Sequence, residues 1–195
     1  MSQERHHMKG CRPLTDLEVK KVSIALGSAR DKALFILGIR SGFRISELLS
    51  LKVSDVYQFG EILPRVQVER KHMKKKIESR SVPIHEEAKS ALLLLILELR
   101  LISTDHLFKS KKGENMPMTR IQAWRILRDA YNLATIGGNV ATHSMRKTFA
   151  QKVYQAVEGD LVKTQRALGH KSLNSTASYL SFADEEVDEA ILGVA

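Results

Sequence analysis

Between His143 and Tyr179 the chain gathers side chains able to act on one anionic group. The stretch opens Thr142-His143-Ser144-Met145-Arg146-Lys147-Thr148 and closes Leu168-Gly169-His170-Lys171-Ser172-Leu173-Asn174-Ser175-Thr176-Ala177-Ser178-Tyr179. On a helix, positions i and i+3 share a face, so His143 and Arg146 can converge on one small anion. Imidazoles and a guanidinium donate hydrogen bonds well to phosphate oxygens. A phenol nine positions beyond His170 can attack phosphorus. The combination points to phosphoryl transfer through a covalent tyrosine intermediate.

The elements that must position these groups are mostly helical. Thr15-Asp16-Leu17-Glu18 reads as a capping box opening a helix whose buried face draws on Leu17, Val22, Ile24 and Ala25. A second helix is expected over residues 30–40, with Ala33, Leu34, Ile36, Leu37 and Ile39 largely internal. Gly42 breaks it, and a short helix from Arg44 to Leu51 follows. Arg44 then stands at a helix start, where backbone N–H groups favour anions, with the carboxylate of Glu47 three positions on to hold it. Residues 65–69 and 79–84 alternate and are rich in Val and Ile, the pattern of a β-hairpin. Its turn, Arg70-Lys71-His72-Met73-Lys74-Lys75-Lys76, is strongly basic.

Residues 86–101 read as a helix with Ala88, Leu92, Leu95, Ile96 and Leu99 inward, and with Leu93, Leu94 and Leu97 widening the stripe. Thr119 caps a helix through Ala134 with Trp124, Leu127, Tyr131 and Leu133 in the core. Arg120, Arg125 and Arg128 of that helix are candidates for contacts to an anionic partner. The His143 helix turns Phe149, Val153 and Tyr154 inward; residues 162–168 form a short helix ended by Gly169, and residues 172–182 another bearing Tyr179. The acidic, amphipathic tail from Asp184 reads as a last small helix that can fold back on its own domain. The fold class is mainly α with a small antiparallel β-sheet.

With its surroundings Ser41-Gly42-Phe43-Arg44-Ile45-Ser46-Glu47-Leu48, the His-x-x-Arg of His143 and Arg146, the Leu-Gly-His ending at His170, and Tyr179, the chain resembles the tyrosine recombinase (phage integrase) catalytic domain. The resemblance runs from about Leu14 to about Phe182, with the motifs in the family's order. It divides the chain into a flexible N-terminal segment (1–13), the catalytic domain (14–182) and a tail helix (183–195), which the resemblance implies can alternatively dock into a neighbouring subunit. It implies site-specific cleavage and rejoining of DNA strands through a 3′-phosphotyrosyl link, leaving a free 5′ hydroxyl, with no metal or cofactor. Arg44, His143, Arg146, His170 and Tyr179 are the implied catalytic groups. The hairpin delivers a catalytic lysine in this family. Spacing back from Arg80 and Val82-Pro83 favours Lys74 narrowly over Lys75, with Lys71 third. Glu47, Lys71, Lys75, Lys76 and Lys171 are supporting or DNA-contacting candidates. The family's N-terminal core-binding domain does not precede this pattern, as expected of either a minimal recombinase or a fragment. Met145 stands where leucine is frequent, and Lys147 where His or Arg is frequent.

Developing charge on the non-bridging phosphate oxygens calls for preorganised cations, and guanidinium groups stay charged at any working pH. A free phenol has a pKa of about 10, so a neighbouring base or cationic field must favour the phenolate. His143 is placed to help remove that proton, and a hairpin ammonium to protonate the departing 5′ oxygen. Two other functions share these motifs: a type IB topoisomerase-like enzyme that relaxes supercoils, and a non-catalytic DNA-binding regulator.

Composition agrees with a nucleic-acid partner. Of 195 residues, 31 are Lys or Arg and 22 Asp or Glu, a net charge of +9 with a pI near 9.7. That excess favours a polyanion. Double-stranded DNA is the expected partner, with self-association into a tetrameric synapse from a monomer or weak oligomer, and accessory DNA-bending proteins as further candidates. The lone cysteine, Cys11, excludes an internal disulfide and fits a reducing cytoplasm, at the nucleoid. The longest apolar run, Ala91 to Leu97, is far short of the ~20 residues of a membrane span.

Overall fold

The computed structural model describes residues 10–71 and 77–180, together with Leu192. The chain divides into two compact units, Met1–Phe149 and Ala150–Ala195.

In the first unit, Thr15 caps α1 (Asp16–Ala25): its hydroxyl accepts the Glu18 N–H at 3.2 Å, and Glu18 Oε2 accepts the Thr15 N–H at 2.9 Å. This is the capping box expected from the sequence. Of the residues assigned to the buried face, Val22 is fully buried and Ala25 partly so. Leu17 and Ile24 are 63% and 80% exposed. The stretch before α1 was expected to be flexible to residue 13, yet from Gly10 it is tied down. Arg12 N–H donates to the Asn139 carbonyl, the Arg12 guanidinium to the Gly137 carbonyl and Glu18, and the Leu14 N–H to Thr148 Oγ1.

Helix α2 (Ala29–Ser41) is the axis of this unit. Ala33, Leu34, Phe35 and Leu37 are at most 1% exposed, so its central turns are buried on more than one side. It ends at Gly42 in the left-handed region, and α3 (Ile45–Leu49) begins three residues on. Two short strands follow, β1 (Tyr57–Gln58) and β2 (Glu61–Ile62), antiparallel and too brief to show alternation in sequence. The expected hairpin is β3 (Arg65–Lys71) paired antiparallel with β4 (Ile77–Pro83), Val68 opposite Arg80 and Val66 opposite Val82. Val66, Val68, Val82 and Ile84 face the core, and Gln67, Ser79, Ser81 and Pro83 face outward.

Helix α4 (Glu86–Glu98) lies along α2 and is linked to it by an Arg40–Glu87 ion pair at 2.6 Å. Ala88, Leu92, Leu95 and Ile96 are buried as expected, whereas Leu99 is 46% exposed and lies beyond the helix end. Helix α5 (Arg120–Leu133) starts at the Thr119 cap with Gln122 completing a second capping box. Leu127 and Tyr131 are core, but Trp124 and Leu133 are exposed. The Arg128 guanidinium, 4.8 Å from the Trp124 ring centre, covers that indole instead of a neighbouring helix.

Helix α6 (Thr142–Ala156) begins in the first unit and ends in the second. Its Met145 is fully buried and reaches α2 at Gly38, where an added Cβ would stand 2.7 Å from the sulfur. Glycine at 38 therefore makes room for methionine at a position where leucine is frequent.

In the second unit, Asp160 caps α7 (Leu161–Leu168), accepting the Lys163 N–H at 2.9 Å, and Gly169 ends it. Ser172 caps α8 (Leu173–Ala177). The helix expected over residues 172–182 thus stops at Ala177, and Tyr179 lies in the turn that follows. The tail from residue 183 falls outside the described residues, Leu192 apart.

Candidate active site

Gly42 is the corner on which the first unit's cations are assembled. Its φ is 60°, and a Cβ there would meet the Phe149 ring at 2.2 Å, so both backbone and packing require glycine. The corner releases the chain into α3 with Arg44 at the N-cap. Glu47, 8% exposed, serves Arg44 twice: Oε2 accepts its backbone N–H at 2.7 Å, and Oε1 accepts from Nη1 at 3.1 Å. The Arg44 side chain stays 38% exposed, so a held guanidinium is still presented to solvent.

Helix α6 brings His143 and Arg146 to the same neighbourhood. Arg146 is 1% exposed, and its Nη1 donates to the Gly42 carbonyl. Lys147, also buried, supplies a cation where the family resemblance expects His or Arg. His143 is exposed as a residue, yet its imidazole is shielded enough that its pKa lies below the usual 6.5. Loss of solvent is the largest cause, followed by the positive charges of Arg146, Arg44 and Lys147. The imidazole is therefore neutral at pH 7, a proton acceptor within a cationic field.

The second unit places the other two groups together. His170 follows the left-handed Gly169, and its position is fixed by three hydrogen bonds. Its N–H donates to Gln165 O at 3.1 Å, Gln165 Nε2 donates to its carbonyl at 3.0 Å, and Nδ1 shares a bond with Thr176 Oγ1 at 3.1 Å. The His170 and Tyr179 rings meet edge to face, centroids 4.9 Å apart at 63°. Tyr179 N–H donates to the Thr176 carbonyl at 2.9 Å, so one buried threonine holds both. Lys171 is exposed beside His170.

Lys74, Lys75 and Lys76 lie outside the described residues. Lys71 ends β3, its backbone opposite Ile77. Sequence reasoning missed two contributors. Thr176 carries no signal that sets it apart from the Ser and Thr residues around it. Arg80 was only a landmark for register, although alternation already placed it on the inward face with Val82 and Ile84. Among the described residues, no group of three or more His, Cys, Asp or Glu side chains is placed to hold a metal ion. No described helix is long and apolar enough to cross a membrane.

The profile of the phage integrase family matches residues 14–186. The chain belongs to that family. It is similar to the probable integrase/recombinase YoeC of Bacillus subtilis (strain 168), 33% identical over 185 residues that cover 95% of each protein. The crystal structure of XerA recombinase matches with a TM-score of 0.74 at 29% identity, over 93% of this chain and 65% of that one. The XerH site-specific recombinase bound to its difH substrate matches with a TM-score of 0.67 at 25% identity, over 92% of this chain and 53% of that one. The chain spans about half the length of the curated Xer recombinases it matches. Its mostly helical architecture with small antiparallel sheets is that of the phage integrase catalytic domain.

Proposed function

We propose that the chain is a tyrosine-type site-specific recombinase, cleaving and rejoining double-stranded DNA through a phosphotyrosyl intermediate. The observation that carries this reading is Arg44: Glu47 orients its guanidinium, yet its side chain stays 38% exposed, beside an imidazole held neutral. A permanently charged fork offered to solvent next to a proton acceptor suits a phosphodiester, and the family's DNA-bound members act on that group.

In the reaction, Tyr179 Oη forms a bond to phosphorus and the P–O5′ bond breaks, so the strand's 3′ phosphate passes to the enzyme. His143, neutral at working pH, takes the phenolic proton. Arg44 and Arg146 stabilise charge on the non-bridging oxygens, and His170, held by Thr176, adds a hydrogen bond there. The departing 5′ oxygen receives its proton from a hairpin lysine, Lys74 ahead of Lys75 and Lys71. Glu47 positions Arg44, while Lys76 and Lys171 contact the DNA backbone. The reverse reaction, with a 5′ hydroxyl from a second duplex, completes exchange.

Residues 14–182 serve as the catalytic domain and residues 183–195 as a tail that docks on its own or a neighbouring protomer. Exchange takes place in a tetrameric synapse at the nucleoid, aided by accessory DNA-bending proteins. The test is a nicked suicide duplex carrying the target site, incubated with the chain in EDTA. A protein–DNA adduct resistant to heat and detergent is expected; its absence across duplexes of the attachment region overturns the reading.

A further inference from the structure

One face of β4 turns inward, and its described residues are Arg80 and Val82, each 7% exposed, with Ile84 just past the strand end at 5%. Strand alternation asks for an apolar side chain at 80 as at 82 and 84, and the partner across the ladder is Val68. A buried guanidinium there carries a desolvation cost that a leucine would avoid. Specific contacts offset it. Nη2 donates to the Ser41 carbonyl at 2.8 Å and Nη1 to the Gly42 carbonyl at 3.3 Å. The guanidinium carbon lies 4.9 Å from the Phe43 ring centre and 5.7 Å from that of Phe149.

The Gly42 carbonyl is also the acceptor of Arg146 Nη1. Two guanidinium groups, one from β4 and one from α6, therefore share a single oxygen. Phe149, three positions after Arg146 on α6, closes over Gly42, and its ring centre lies 5.7 Å from the Arg80 guanidinium carbon. Arg80 also grips the preceding carbonyl, and so fixes the orientation of the peptide on which Arg146 rests.

We propose that Arg80 is a positioning residue for Arg146: it sets the Gly42 carbonyl that aims the Arg146 guanidinium. The inference rests on the reading that Arg146 acts on a DNA phosphate. A staple that merely stabilised the fold would not need charge at this position, and a residue acting through Arg146 is coupled to it.

The experiment is a double-mutant cycle on the single-turnover rate of adduct formation, with melting temperature and DNA affinity measured alongside. Arg80→Met in the otherwise native chain is expected to slow cleavage by about 30-fold, less than the roughly 100- to 1,000-fold found when an oxyanion donor itself is lost, because Arg80 acts through Arg146. In an Arg146→Lys background the same change is expected to cost less than about 3-fold, because coupled groups are not additive. Equal fold losses in the two backgrounds, or no loss in the native one, overturn the proposal. If Arg80→Met does not stay folded at the assay temperature, Arg80→Lys carries the cycle. Lysine keeps a charge beside the two rings but cannot grip two carbonyls as a planar fork does, and a loss of about 10-fold confined to the native background is expected. Equal losses again overturn it. A native chain that forms no adduct defeats the recombinase reading as well, whereas a native chain that cleaves beside additive Arg80 variants defeats this inference alone.

Discussion

Glu47 Oε1 accepts a hydrogen bond from Arg44 Nη1 at 3.1 Å while its other oxygen accepts the Arg44 backbone N–H at 2.7 Å. One buried carboxylate thus starts α3 and aims the guanidinium that leaves it. Glu47→Gln keeps the backbone cap and removes the charge, so it is expected to leave stability within about 1 kcal/mol of native and to slow cleavage by about 10-fold. Glu47→Ala removes both and is expected to cost a further 1–2 kcal/mol or so, read by chemical denaturation.

His143 gives the account its pH dependence. Burial and the charges of Arg146, Arg44 and Lys147 disfavour the imidazolium, so the pKa lies below 6.5. The group is neutral above that depressed value and gains its proton only as pH falls through it. Single-turnover cleavage is therefore expected to hold its rate down to pH 6.5 and to decline below it. Arg44→Ala removes one of the repelling charges and is expected to move this acid limb upward toward 6.5, besides lowering the plateau. An acid limb above 6.5 in the native chain would assign the proton acceptor elsewhere.

Gly42→Ala tests the corner. The left-handed φ of 60° and a Cβ 2.2 Å from the Phe149 ring act together. The expected loss of stability is about 2–4 kcal/mol, from backbone strain and overpacking combined. Cleavage is expected to fall further than the folded fraction does, because the displaced carbonyl is the one that accepts from Arg146.

Much of this was legible in the sequence for reasons that also mark where legibility ends. The capping box at Thr15 and the apolar density of α2 are local signals, and both elements formed where expected. Periodicity says which residues share a helix face, not whether anything covers that face. Leu17, Ile24, Leu99, Trp124 and Leu133 were read as buried and are exposed. The helix bearing Tyr179 was drawn too long, because Ser178 and the turn after Ala177 carry no breaker as plain as glycine or proline. For the proposed site, residue types and spacing offered His143, Arg146, His170 and Tyr179, and the family resemblance added Arg44. Their supports depend on contacts distant in sequence. Arg80 reaches Gly42 across 38 positions and Arg146 reaches it across 104, through a backbone carbonyl that no side-chain pattern reveals.

The N-terminal clamp predicts an acid-sensitive tether. Hydrogen bonding to Arg12 is the main cause holding the Glu18 carboxyl at about 2, against a usual 4.5. Because the folded value is the lower one, the stabilisation is fully present above pH 4.5 and is lost as pH falls toward 2. Arg12→Ala is expected to cost about 1–2 kcal/mol at pH 7, discounted for partial exposure. The difference from native should disappear between pH 4.5 and 2 in melting experiments.

The most direct measurement is the fate of the nicked duplex with Tyr179→Phe beside the native chain. The native chain is expected to trap a covalent adduct whose DNA-linked peptide contains Tyr179. The phenylalanine variant is expected to trap none while binding the duplex within about 3-fold of native, since only the nucleophile is removed. An adduct that persists in the variant, or a linkage mapped to another side chain, would contradict the assignment of Tyr179 as the residue that carries the DNA.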